Sequence, residues 1–127
     1  AFNPLAPKLE MRLEREKLVA EVAFPSNYES APDSVQGGMV AACFDQLLAF
    51  TVMAHGKTGP TISLTVNFVK RTPINQPLRF EGWIATVDGQ KFSARGSCFH
   101  GDVKVSEAEA LILGNVPLPV VPSRTTS

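Results

Sequence analysis

The stretch that decides the fold is Gln36-Gly37-Gly38-Met39-Val40-Ala41-Ala42-Cys43-Phe44-Asp45-Gln46-Leu47-Leu48-Ala49-Phe50-Thr51-Val52-Met53-Ala54-His55-Gly56. It reads as one helix with marked ends. Two glycines open it, where bare backbone can come close to a ligand. His55 and Gly56 close it, a possible cation and a residue that tolerates a left-handed cap. From Met39 to Ala54 nearly every residue is apolar, and Asp45 is the single charge. A helix apolar on almost all sides is expected to be buried. It is too short for a membrane span, and its mid-helix carboxylate argues further against one. One carboxylate is therefore carried toward an interior, which is costly unless the group is paired or used.

On a helical period Asp45 has Ala41, Ala42, Leu48 and Ala49 as neighbours. Three small residues beside a charge leave room for something to approach. That something is either a close-packed strand or second subunit, or a substrate beside a catalytic acid.

The rest of the chain reads as strands around this helix. Leu9 to Glu14 alternates apolar and charged residues, and Leu18 to Phe24 is a second apolar run, so the two form a hairpin. Pro25 to Val35 is a loop feeding the helix, where Asp33 or Ser34 can serve as a cap. Gly59-Pro60 breaks the chain after the helix. Ile62, Leu64, Val66 and Phe68 then alternate with Thr61, Ser63, Thr65 and Asn67, giving an apolar face and an uncharged polar face. The polar face suits a partner subunit or a ligand. Lys70 and Arg71 follow, readable as plain surface cations. Leu78–Val87, Phe92–Phe99 and Val103–Leu113 are further strands, joined at Asp88-Gly89 and His100-Gly101-Asp102. The expected order is two strands, the helix, then four strands in a meander.

The expected class is α+β, with one long buried helix wrapped by an antiparallel sheet of about six strands. Residues 1–8 read as an irregular lead-in, 9–114 as the domain, and 115–127 as a Pro-rich mobile tail. A single layer leaves edges and a sheet face uncovered, so a homo-oligomer is expected.

Composition narrows the function classes. At 127 residues, 44% of them hydrophobic, the chain can bury one real core. Zero formal charge gives no basic footprint for nucleic acid. Cys43 and Cys98 are distant in sequence and read as reduced core residues, which with the lack of a basic-then-apolar leader suggests a cytoplasmic location. His55 and His100 are isolated, so no metal site is expected.

These elements, in this order, resemble the hotdog fold, and specifically the PaaI-like (phenylacetate-degradation type) acyl-CoA thioesterases. Gly37-Gly38 match the glycines of the family's His-Gly-Gly motif, and Asp45 falls at its acid. The resemblance runs on through Gly59-Pro60-Thr61-Ile62-Ser63-Leu64, Val66-Asn67-Phe68 and Arg71-Thr72-Pro73, and touches Asn3-Pro4-Leu5-Ala6-Pro7. It implies hydrolysis of an acyl-CoA to free acid and CoA without a cofactor, in a homodimer or homotetramer with sites at the subunit interface. Asp45 would be general base or nucleophile, and the Gly37 amide the oxyanion donor. Ser63 matches a serine that some relatives supply from the neighbouring subunit. The family's substrate-orienting asparagine falls near Ser30, with Asn27 the closest asparagine. Gly38, Asn67, Lys70 and Arg71 complete the expected substrate contacts, the two cations toward CoA phosphates. Gln36 departs from the family's His: it can donate a hydrogen bond but cannot titrate near neutral pH. That departure keeps open a non-catalytic acyl-CoA or lipid-binding hotdog protein.

Overall fold

The structure is a computed structural model, and it describes residues 9–25, 29–31, 34–35 and 37–118. The elements in chain order are β1 (Met11–Glu14), β2 (Lys17–Val22), β3 (Glu29–Ala31), β4 (Ser34–Val35), α1 (Gly37–Met53), β5 (Lys57–Thr58), β6 (Thr61–Phe68), β7 (Leu78–Asp88), β8 (Lys91–His100), β9 (Val103–Leu113) and β10 (Val116–Pro117). Six strands form one antiparallel sheet in the order β1-β2-β7-β8-β9-β6. The helix lies across one face of it. This is the α+β arrangement expected from the sequence.

Local chemistry sets the three tight hairpins. Each places a positive φ on its first loop residue: Arg15 at 58°, Gly89 at 61° and Gly101 at 62°. Glycine adopts that conformation freely, whereas Arg15 does so against its Cβ. The helix ends at Met53, one turn before Gly56, whose φ of 82° reverses the chain.

The helix can sit close to the sheet because Gly82 and Gly96 face each other across β7 and β8. A Cβ at Gly82 would lie 2.9 Å from Thr51 Oγ1, and one at Gly96 would lie 3.1 Å from Phe44 Cε1. Phe44 then packs edge-on against Phe80, with centroids 5.2 Å apart. Val40, Cys43, Leu47, Leu48 and Val52 fill the rest of the fully buried helix stripe. The buried Thr51 hydroxyl donates to Leu47 O at 2.8 Å, so its polarity is satisfied within the helix.

Four sequence expectations are corrected. The helix is not covered all round: Ala41, Ala42, Asp45, Gln46 and Ala49 are only half-buried and Phe50 is exposed, because the sheet of one chain covers one side. The last four strands are not a simple meander. β6 crosses over to the far edge beside β9, and β7 pairs with β2. The loop from Pro25 to Val35 contains the small β3–β4 hairpin. The expected tail begins inside the fold: Val116–Pro117 pair with Lys57–Thr58, and Leu118 N donates to Gly56 O at 2.8 Å. The lead-in over residues 1–8, and the remainder of the tail from 119 onward, lie outside the described residues.

The outer sheet face carries a lattice of ion pairs. Arg79 reaches Glu81 at 2.7 Å and Glu14 at 2.8 Å, and its hydrogen bond, then that of Arg12, holds the Glu14 carboxyl below its ordinary value. This ties Arg79 to carboxylates of its own chain.

Candidate active site

Asp45 sits two turns into α1, half-buried, on the side of the helix turned toward β6. Thr61 Oγ1 donates to Asp45 Oδ1 at 3.2 Å. A β-bulge makes this contact possible. Thr61 opposes Ile112 and Ser63 opposes Leu111, so Ile62 is the extra residue. Strict alternation assigns Ile62 to the core face and Thr61 to the polar face. The bulge reverses both: Thr61 joins Leu64, Val66 and Phe68 on the face toward the helix, and Ile62 is 53% exposed. Thr61 is therefore a site residue that alternation alone misplaces.

Gly37 is the first residue of the helix, and the first four amides of a helix have no partner within it. These amides sit at the positive end of the helix dipole, suited to a developing oxyanion. Phe68 lies against this end: a Cβ on Gly37 would be 3.4 Å from Phe68 Cζ. A Cβ on Gly38 would meet nothing within 4 Å, so the second glycine faces open space. Val35 N donates to Thr72 O at 2.8 Å and fixes the approach to the helix. Beside Gly37 is an open hollow of about 500 Å³, walled by Val35 and Phe68 and rimmed by Lys70, Arg71 and Thr72. Lys70 and Arg71 are exposed and join none of the ion pairs among the described residues.

The structure brings Gly37, Gly38, Lys70 and Arg71 together at one end of α1. It leaves Asp45 apart from them within the same chain. Eight residues of helix separate Gly37 from Asp45, about 12 Å of rise, too far for both to act on one carbonyl. Ser63 and Asn67 are also elsewhere in the chain. They alternate onto the outer sheet face, Ser63 opposite Leu111 and Asn67 donating to Glu107 at 3.3 Å. Ser30 lies in β3, and nothing of its side chain is described. Gln36 and Asn27 fall outside the described residues.

The two cysteines are fully buried, and burial pushes each thiol up to about 12, Cys98 against a lowering by Ser106. Neither is suited to nucleophilic work. Among the described residues no group of three or more His, Cys, Asp or Glu could hold a metal ion, and no helix is long and apolar enough to cross a membrane.

A single helix cradled on its long axis by a six-stranded antiparallel sheet, with a glycine pair at its start and a carboxylate two turns on, is the hotdog architecture. Solved structures of thioesterase superfamily proteins share this form. A thioesterase superfamily protein superposes with a TM-score of 0.80 at 28% identity over 85% of this chain. The chain spans 57% of that protein's length. A hypothetical thioesterase protein of Streptococcus pneumoniae TIGR4, solved with coenzyme A, gives a TM-score of 0.81 at 14% identity, over 88% of this chain and 92% of the other. A phenylacetic acid degradation-related protein of Ralstonia eutropha JMP134 gives 0.73 at 20% identity, over 81% and 82%. Neither a protein-family model nor a curated protein sequence matches the chain.

Proposed function

We propose that this protein is an acyl-CoA thioesterase whose site is completed by a second copy of the chain. The carrying observation is that one edge strand touches both halves of the chemistry. Thr61, at the start of β6, bonds Asp45, and Phe68, at its end, lies on Gly37. Among the described residues no strand pairs with the outer side of β6. Pairing β6 with the same strand of a second copy, antiparallel about Thr65, sets Leu64 opposite the partner subunit's Val66. Inner residues then face inner residues, as an antiparallel ladder requires. The Thr61–Ile62 bulge comes opposite the partner subunit's Phe68. Asp45 is thereby carried to the partner subunit's Gly37, and the 12 Å gap within one helix no longer separates them. The half-buried face of α1 is covered by the same contact.

In that arrangement the thioester carbonyl oxygen accepts from the Gly37 amide, where the helix end stabilises negative charge as the carbonyl is attacked. Asp45 acts as base on a water or as the nucleophile itself. Collapse of the tetrahedral intermediate expels the CoA thiolate, a good leaving group, and the acid departs after water has been consumed. A well-placed oxyanion donor contributes about 3–4 kcal/mol, and a positioned base roughly 10²–10⁴-fold. Lys70 and Arg71 border the same hollow and suit CoA phosphates. The coenzyme A in the pneumococcal neighbour supports this ligand class. We place the activity in the cytoplasm, where acyl-CoA and reduced thiols such as Cys43 and Cys98 belong.

The test is free-thiol release from a panel of aliphatic and aromatic acyl-CoAs. Hydrolysis of at least one supports the reading. Acyl-CoA binding without turnover supports the alternative, a non-catalytic binding protein, which Gln36 in place of the family's His favours.

A further inference from the structure

We propose that Phe68 is the specificity-determining residue of the acyl site, closing it to acyl groups branched at the α-carbon. This rests on the thioester reading above, because it concerns what stands behind the carbonyl at the Gly37 amide. Phe68 sits on the inner face of β6, yet it is 47% exposed, since its ring projects past the core toward the helix start. Three atoms of the ring tip lie within 4.0 Å of a Cβ position on Gly37, the nearest at 3.4 Å. The ring is therefore the wall beside the first amide of the helix.

Its position is fixed from both sides. Val69 N and Lys70 N both donate to Val105 O, at 2.9 and 3.0 Å, which pins the end of β6 to β9. The hydrogen bond from Val35 N to Thr72 O pins the start of the helix to the segment that follows. The two backbone segments that carry ring and amide thus cannot separate without breaking backbone hydrogen bonds. The opposite side differs. A Cβ on Gly38 would meet nothing within 4 Å, so this side is open. In the proposed pose, a carbonyl oxygen held by the Gly37 amide sets its α-carbon against the ring, and the chain beyond runs to the open side at Gly38. A straight or flat acyl group fits this shape, and a second substituent on the α-carbon meets the ring.

One extra methyl in a close-fitting apolar pocket changes affinity by roughly 10–200-fold, which sets the size of the expected effect. The experiment uses non-hydrolysable ketone thioethers of CoA, so it does not depend on turnover. Calorimetric Kd values are measured for S-(2-oxopentyl)-CoA and its branched isomer S-(3-methyl-2-oxobutyl)-CoA, on wild type, Phe68→Leu and Phe68→Ala. Wild type is expected to prefer the straight isomer at least about tenfold. Phe68→Ala brings the two within about twofold by gaining affinity for the branched one, and Phe68→Leu, which keeps an apolar side chain, falls between. The same straight-to-branched ratio in all three proteins overturns the assignment while leaving the thioesterase reading in place. A uniform loss of both ligands in the variants also overturns it, as that marks a structural role. Failure of wild type to bind either analogue or CoA itself removes the thioesterase reading and the assignment with it.

Discussion

Replacing Asp45 by Asn isolates charge from shape. Asp45 Oδ1 accepts from Thr61 Oγ1 at 3.2 Å, and an asparagine carbonyl presents the same oxygen to the same hydroxyl. The site is half-buried, and the exchange of one carboxylate oxygen for an amide nitrogen leaves the side chain nearly the same size. Folding stability is therefore expected to change by no more than about 1–2 kcal/mol, the scale of one or two hydrogen bonds to a charged group. Catalysis is expected to behave differently. An amide can neither take a proton from water nor attack a thioester, so the kcat for thiol release falls by about 10²–10⁴. That corresponds to about 3–5 kcal/mol of barrier. KM should move little, because the group acts on the reacting atoms and not on the CoA moiety. Steady-state thiol release and a urea melt on the same preparation give both numbers. Wild-type turnover in Asp45→Asn refutes the base assignment. A lost turnover accompanied by a collapse in stability refutes the claim that the carboxylate is catalytic and not structural.

The remaining predictions concern packing and access. Gly82→Ala places a Cβ 2.9 Å from Thr51 Oγ1 and 3.0 Å from Leu48 Cδ2, so these buried side chains or the helix must shift, and stability should fall by about 1–3 kcal/mol in a urea melt. Gly38→Ala meets nothing within 4 Å and is expected to raise stability by about 0.5 kcal/mol, through helix propensity in a first turn. The same substitution fills open space on the acyl side and should lower turnover, so a gain in melting temperature with unchanged turnover excludes Gly38 from the site. Burial pushes the Cys43 and Cys98 thiols up to about 12, and both lie at 0% exposure. An aromatic disulfide reagent at pH 8 should label neither in the native protein and both in denaturant.

The sequence made the helix legible because its signals are local. A glycine pair, an apolar run and a terminal glycine occur within one continuous stretch, and the positive φ at Gly89 and Gly101 follows from glycine itself. Strand order was not legible in the same way. β6 pairs with β9 some forty residues later, and nothing within residues 61–68 names that partner. Alternation also failed at Thr61, because a bulge shifts register by one residue and moves a hydroxyl from the outer face to Asp45. Asp45 stood out as one charge in an apolar helix. Phe68 could be read as a pocket aromatic like Phe44, Phe50 and Trp83, but its direction is not legible until its contact with Gly37 is seen. The uncovered helix face was hidden for a related reason: an apolar sequence marks what must be buried and not which chain buries it.

The claim that two chains share each site is tested most directly by mixing two inactive variants. Gly37→Pro removes the oxyanion amide at the first helical position, where proline is tolerated, and its Cβ meets Phe68 only at an ordinary 3.4 Å contact. Asp45→Asn removes the carboxylate. Unfolded together in equal amounts and refolded, the two chains form mixed dimers as half of the total, each with one site carrying both an intact Gly37 and an intact Asp45. About a quarter of wild-type thiol release should return. A mixture as inactive as either variant alone contradicts the shared site.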